Sequence, residues 1–489
     1  MALGSDPTRP ATRRQPRISP VEVLPGAAVL LVLCVAYWLA AIRPSSHAYL
    51  DYVDGYYLYV SRRMAQGAVL YSGVMGVQPP GIYVVGAALF RLYDHLATAR
   101  VYSGLLHCAT ILLVAAVSYR LTRRRAEALV AAAIYTAAPY GLLWSRLFDP
   151  NPLVTFLSLC SLWALLGDRT RWAGAAGILA ALALLTKVWY LPVGAITVLW
   201  LAVRRREQLA PFVAGAIVPA ILAFALGTLS AGDAFRHGLL VQDASPFSGS
   251  WFETSVYHVL SDDWPLLLLG LAGARAMWRR GDDQHRLIAL WIPCSCLVVL
   301  ATVKEGTAWP VFQFAEPFLA VGAAAFLGCL SVGKRPAGSR SAARLLPSPA
   351  TLFVLLLLVL FALPAVRGAS TWPNSGEDSL ARALRGAAPI TQPVLAPPFY
   401  LYLSGRRGVD QFADINLWGQ EAERGDPQAV TALTAMVTAL NRGAVPMVLA
   451  DNRVRALTGV PEALRKHYRQ LPLRDRLPVD RSVTVWVPR

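Results

Sequence analysis

Long apolar runs separated by short charged loops dominate the chain from Val21 to Val366. The runs are Val21–Ile42, Thr98–Tyr119, Ala126–Leu143, Leu153–Leu166, Ala173–Thr186, Tyr190–Val203, Leu209–Leu229, Trp264–Trp278, Leu287–Val303, Trp309–Leu330 and Ala350–Val366. They lie near the ~20 residues that a helix needs to cross hydrocarbon. Lipid satisfies no open backbone group, so only helices or a closed barrel can span it. The runs are continuous in Leu, Ala and Val and lack the alternation of barrel strands. The expectation is an all-α polytopic membrane bundle of about eleven transmembrane helices, residues 21–366.

Charge orients the bundle. Arg9, Arg13, Arg14 and Arg17 precede a first run longer than a signal-peptide core, so residues 1–20 read as a basic cytoplasmic tail before a retained span. Gly81–Leu92 is short and ends at Asp94 and His95. Were it a span, Arg120, Arg123, Arg124 and Arg125 would fall outside. Laid along the outer face, it sends them inside with Arg169, Arg171, Arg204, Arg205, Arg206, Arg279, Arg280 and Lys334. Residues 43–97 then form a first outer loop with interfacial helices. The loops carrying Asp149, Asp233, Asp243 and Glu253 also face out. Lys334–Pro349 reads as a cytoplasmic linker.

From about Arg367 the pattern changes. Short apolar runs at Pro393–Ala396, Val445–Ala450 and Val483–Val487 predict strands; Pro427–Asn441 and Pro461–Gln470 have one-sided helical spacing. Residues 367–489 therefore read as a small extracytoplasmic α/β domain with its own core.

Composition agrees. Charged residues make up 15% of the chain and apolar ones 55%, and mean hydropathy is +0.45. The net charge of +17 sits in Arg clusters between runs, which sets orientation rather than marking nucleic acid as a partner. The partner that composition does require is the lipid bilayer, in a multi-pass cell (inner) membrane protein. All six cysteines lie in apolar runs and read as small buried hydrophobes, not metal ligands. Without an HExxH, GxSxG, P-loop or CxxC motif, ATP-driven transport and serine or metallo-hydrolysis have no support.

The candidate chemistry collects on one face. The outer loop holds Asp51 and Asp54, and its own basic and aromatic residues include Arg63 and Tyr57. Asp149 stands in S-R-L-F-D-P-N-P, with Arg146 three residues before it; Lys187, Lys304 and Glu305 end outward runs, and Arg100 opens one. Charges at the edge of hydrocarbon are costly and mark function by default. Each also has a plainer reading. Asp54 would be a solvated acid or the cap of a helix from Gly55 to Ala65. Asp149 would start a turn, and the lysines would snorkel. Trp189, Tyr190 and Trp309 would form an interfacial belt, and His107 would bond a neighbouring carbonyl. The chemical reading makes Asp54 a general base, lets the turn present Asp149 to the outer cavity, and gives a lipid phosphate to Lys187, Lys304 and Arg100. The alternative is a lipid-linked sugar flippase without catalysis.

The stretches D-G-Y-Y-L-Y-V-S-R-R-M-A-Q-G-A-V-L-Y, Q-P-P-G-I-Y, A-R-V-Y-S-G-L-L and S-R-L-F-D-P-N-P occur in order. Together they resemble the N-terminal half of the polytopic GT-C glycosyltransferases, the dolichyl-phosphate-mannose protein mannosyltransferase group and its bacterial lipid A and lipopolysaccharide relatives. The resemblance implies a sugar donor on a polyprenyl phosphate and a glycan, lipid or protein acceptor. It places the catalytic acid at Asp54 and another acid at Asp149. Pro79–Gly81 would open a helix on the outer face, and basic residues near Lys187 and Lys304 would hold the donor phosphate. No cofactor is required, and a divalent metal is compatible with the two acids. Three places depart from the pattern: the residue after the first acid, often a second acid, is Gly55, which leaves Asp51 as the substitute; Lys187 is followed by Val188 rather than glycine; and the late His-Tyr or Lys-x-x-Tyr pattern is present only as Lys304 followed by Phe312 and Phe314.

Overall fold

The computed structural model describes residues 20–42, 52–167, 169–240, 247–304, 307, 309–332, 391–409, 419, 422, 423, 425, 427–471 and 483–489. Helix α1 (Pro20–Tyr37) ends in a π turn, Trp38–Ile42. The predicted first outer loop contains α2 (Tyr52–Ala65) and α3 (Gly81–Leu92). The bundle continues with α4 (Leu96–Thr122), α5 (Arg125–Ala137), α6 (Pro139–Trp144), α7 (Pro150–Leu165) and α8 (Thr170–Thr186). Then come α9 (Leu191–Arg204), α10 (Arg206–Ala231), α11 (Asp233–Leu240), α12 (Gly249–Arg280), α13 (Asp283–Cys296) and α14 (Glu316–Val332). By length and composition, three described stretches suffice to cross a membrane: Leu96–Thr122, Arg206–Ala231 and Asp283–Val303.

Every predicted span within the described residues is helical, with informative departures. The run Ala126–Leu143 is two helices, because Pro139 forces Ala138 into extended backbone (φ −63°, ψ 131°). The run Trp264–Trp278 belongs to a 32-residue helix that starts at Gly249. At 1.5 Å per residue it is about 48 Å long, well beyond the hydrocarbon, so one end must emerge. The runs at Leu287 and Trp309 include 3₁₀ turns, Leu297–Val303 and Trp309–Phe314. The predicted tail before Pro20, the linker Lys334–Pro349 and the run Ala350–Val366 lie outside the described residues. All six cysteines are free thiols.

One buried cluster runs through the bundle from Tyr37 to Leu327. A second joins α2 and α3 to the C-terminal region: Tyr56, Tyr83 and Phe90 share a core with Val394, Phe399, Tyr402 and Val485. There, α15 (Pro398–Ser404) packs on α2, followed by α16 (Pro427–Asn441), α17 (Asn452–Ala456) and α18 (Val460–His467). Strands β1 (Val448–Ala450), β2 (Tyr468–Leu471) and β3 (Thr484–Pro488) form an antiparallel sheet in the order β1-β3-β2, with Leu449 opposite Val485 and Gln470 opposite Trp486. The predicted helix Pro461–Gln470 thus turns into strand at Tyr468, whose buried side chain joins a separate core with Met436, Leu440 and Leu464. At Pro393–Ala396 only single bridges form, Val394 to Gly408 and Leu395 to Val448. The C-terminal region therefore has its own core on one side and shares the loop's core on the other.

Candidate functional site

Asp54 stands in the first turn of α2, where the helix dipole favours an anion; the helix starts at Tyr52, so Asp54 is inside it and does not cap it. The side chain is fully buried. Arg100, equally buried in the first part of α4, donates from Nη2 to Asp54 Oδ2 at 2.6 Å. Its other terminal nitrogen donates to the Arg146 carbonyl at 3.1 Å. The Phe148 N–H donates to Asp54 Oδ1 at 2.7 Å, and Ser103 Oγ donates to the Leu147 carbonyl at 3.0 Å. The turn from Ser145 to Asp149 is thus held on α2 and α4 by its own backbone. Arg146, from that turn, is buried beside Arg100. Burial and the Arg100 charge push its guanidinium down to about 10, with Tyr37 and Asp54 opposing, so it stays cationic at neutral pH.

Asp149 closes the turn as the cap of α7. Its Oδ1 accepts the Asn151 N–H at 2.7 Å, and Pro150 fits the first helical position because that position needs no donor. Lys187 lies past the end of α8 and is 8% exposed. Its Nζ donates to Asn151 Oδ1 at 3.3 Å and lies 3.6 Å from the centre of the Trp189 ring. Burial pulls the ammonium down to about 8, and the Asp149 charge resists that shift. Trp189 is therefore a cation–π partner of that ammonium. The Pro79–Gly81 segment brings α3 against this corner. A Cβ on Gly81 would stand 2.7 Å from Thr186 Oγ1 and 2.8 Å from the Leu185 carbonyl, so only glycine permits the approach.

The remaining candidates fall elsewhere. Tyr57 is buried among aromatic rings, 5.5 Å from Tyr56 and 5.7 Å from Tyr83. Arg63 donates to Gln66 Oε1 at 3.0 Å and lies beside Tyr59. Lys304 pairs with Phe247 through a backbone bridge and points its ammonium at that ring, 5.8 Å away. Asp51 and Glu305 lie outside the described residues. His107 shares a hydrogen bond with Tyr135 Oη at 3.2 Å rather than with a carbonyl. Sequence reasoning missed Asn151, because an amide in a Pro-rich turn looks like turn chemistry, and it did not place Arg146 beside Arg100.

Gly55 has a structural explanation. A Cβ there would run into the Phe399 side chain and stand 2.7 Å from Phe399 Cα, so α15 occupies the space a side chain would need. The contact extends along α2: Arg62 donates to the Tyr402 carbonyl at 2.8 Å and lies 4.2 Å from its ring centre, and Tyr59 Oη accepts the Gly408 N–H at 2.8 Å. Gly55→Ala should therefore cost about 1–3 kcal/mol through overpacking. It should also speed limited proteolysis between residues 391 and 409. Unchanged cleavage would mean that α15 does not depend on this notch.

No family model matches the chain, and no curated protein matches it. Among solved structures, it resembles ArnT from Cupriavidus metallidurans in the apo state, at 15% identity over 95% of this chain and 97% of that one, with a TM-score of 0.64. The same enzyme bound to undecaprenyl phosphate gives 14% identity over 96% and 98%, with a TM-score of 0.62. The chain shares the fold of ArnT. A partial likeness covers 81% of this chain and 44% of arabinosyltransferase EmbB from Mycobacterium smegmatis, at 14% identity and a TM-score of 0.46.

Proposed function

We propose that the protein moves a sugar from a polyprenyl-phosphate donor to an acceptor hydroxyl at the extracytoplasmic face of the inner membrane, with inversion. One observation carries this reading. Asp54 with Arg100, and Lys187 with Asn151 and Asp149, come from distant parts of the chain yet meet on a single turn, residues 145–151. An anionic leaving group needs a cation, and an attacking hydroxyl needs a base. The ArnT structure with undecaprenyl phosphate adds support for the donor class.

In the proposed step the acceptor oxygen attacks the anomeric carbon as the bond from that carbon to the phosphate oxygen breaks. The acceptor proton passes to Asp54, and polyprenyl phosphate leaves against Lys187. Arg100 holds Asp54 Oδ2 and must yield part of its contact as substrate enters. The step balances without a cofactor. A divalent cation between Asp54 and Asp149 would compete with Arg100 for the same carboxylate oxygens. Arg63, Tyr57, Lys304, Asp51 and Glu305 keep only a secondary place in this reading.

Purified protein should release polyprenyl phosphate when given one member of a panel of polyprenyl-phosphate sugars with a lipid or glycan acceptor. Translocation of the donor across vesicles without release of the phosphate would establish the flippase reading instead.

A further inference from the structure

The bundle carries a second set of cations, at the end opposite Lys187, that the proposed step does not use. Arg100 and Arg120 lie 20 residues apart on α4, about 30 Å, which is the thickness of the hydrocarbon. Helix α8 is also charged at both ends: Arg171 and Trp172 stand in its first turn, and Lys187 follows its last residue. At the far end α4, α7 and α8 form a corner. Arg120 Nη1 donates to the Trp163 carbonyl at 3.3 Å, and its guanidinium lies 5.3 Å from the centre of the Trp163 ring. The Trp163 and Trp172 rings meet edge to face, with centres 6.1 Å apart. The Arg171 guanidinium lies 5.7 Å from the Trp172 ring. Gly167 borders both parts: a Cβ there would stand 3.2 Å from Trp172 Cδ1 and 3.4 Å from Arg120 Nη2. Two arginines therefore flank a pair of indoles. A guanidinium over an indole keeps N–H groups at its edge, where a phosphate can accept two at once.

Charge and apolar surface together select the ligand. The sequence sets one acid, Asp168, against Arg120, Arg169 and Arg171, which leaves two positive charges. Arg171, Ile178 and Leu182 are spaced by seven and four residues, so they share one face of α8, and all three are exposed. An apolar stripe thus runs from the arginine into the hydrocarbon region. A soluble anion would use the cations and leave the stripe bare; a phospholipid uses both. We infer that the corner of Arg120, Trp163, Trp172 and Arg171 binds one phospholipid whose headgroup carries two phosphodiesters, with an acyl chain along Ile178 and Leu182. The Arg204–Trp200 pair at the same end differs, because Asp283 accepts from that guanidinium at 2.9 Å. Helix α8 is 17 residues long, about 26 Å, so what holds its ends sets its depth in a thicker hydrocarbon layer. The lipid holds the end opposite Lys187.

The test titrates the full-length protein in detergent with tetraoleoyl diphosphatidylglycerol and reads bound lipid by native mass spectrometry. Wild type should hold one copy, about tenfold or more tighter than it holds dioleoyl phosphatidylcholine, and an equal concentration of inorganic pyrophosphate should not displace it. Arg171→Gln and Arg120→Gln should each weaken that binding by about tenfold or more, because a charge-assisted hydrogen bond is lost. Arg204→Gln and Lys187→Met should leave it within about twofold of wild type. Arg120 also holds the Trp163 carbonyl, whereas Arg171 is exposed, so R171Q decides alone if R120Q does not fold. Unchanged binding in R171Q overturns the proposal. So does equal binding of the zwitterionic lipid, displacement by pyrophosphate, or an equal loss in R204Q. Loss in K187M would place the lipid at the proposed donor site and overturn it as well. None of these readouts needs sugar transfer, so a protein that transfers no sugar ends the proposed function and leaves this inference to be decided by lipid binding.

Discussion

Asp54→Asn should stop sugar transfer and destabilise the protein, and the two effects should separate in a double variant. Loss of a positioned base costs about a hundredfold to ten-thousandfold in rate. The same change leaves Arg100 as a buried charge without its carboxylate, and breaking a buried pair from one side costs about 3–5 kcal/mol. D54N should therefore melt several degrees lower in detergent. Arg100→Met should melt lower too, for the mirror-image reason. In the double variant D54N/R100M both charges are gone, and an apolar side chain fills part of the volume. Its melting temperature should recover most of what either single change loses, a coupling that a double-mutant cycle reads directly. Its turnover should remain at the D54N level, because the base is still missing. Recovered turnover in the double variant would make Asp54 a structural counter-ion and end its role as base. A flat cycle, with additive losses in stability, would mean that the pair is not coupled as the 2.6 Å contact requires.

Asp54, Asp149 and Lys187 were legible because charge at the end of an apolar run is expensive and therefore conspicuous. The helix Gly81–Leu92 was legible as a short apolar run, and α3 has those same bounds. What could not be read depends on contacts between distant residues. Gly55 looks like the loss of an acid until Phe399 is seen filling its place. Arg62 meets Tyr402 across 340 residues, so the shared core of loop and C-terminal region has no local signature. The strand at Tyr468–Leu471 was hidden by one-sided spacing that its helix, α18, carries up to His467. Lys304, expected beside the other cations, turns its ammonium toward the Phe247 ring.

Lys187→Met should raise the donor KM by about tenfold or more while changing acceptor KM little, since a charge-assisted contact of roughly 1.5–3 kcal/mol to the phosphate is lost. The pH dependence gives a sharper test. Burial holds the free enzyme's ammonium at about 8 against the Asp149 charge. The cation that receives the phosphate is then present at pH 7 and disappears as pH rises through about 8, so kcat/KM for donor should fall along that limb. Lys187→Arg stays charged and should remove the limb; Asp149→Asn takes away the supporting charge and should move it to lower pH. Stability must run the other way. Lys187 ionises below its unfolded value of 10.5, so between about 8 and 10.5 the unfolded chain binds the extra proton and the folded state gains as pH rises. Relative to K187M, wild type should therefore become more stable over the same interval in which donor use declines. A merely structural lysine would show the stability trend alone. If donor kcat/KM stays level through pH 9 in wild type, Lys187 does not hold the phosphate.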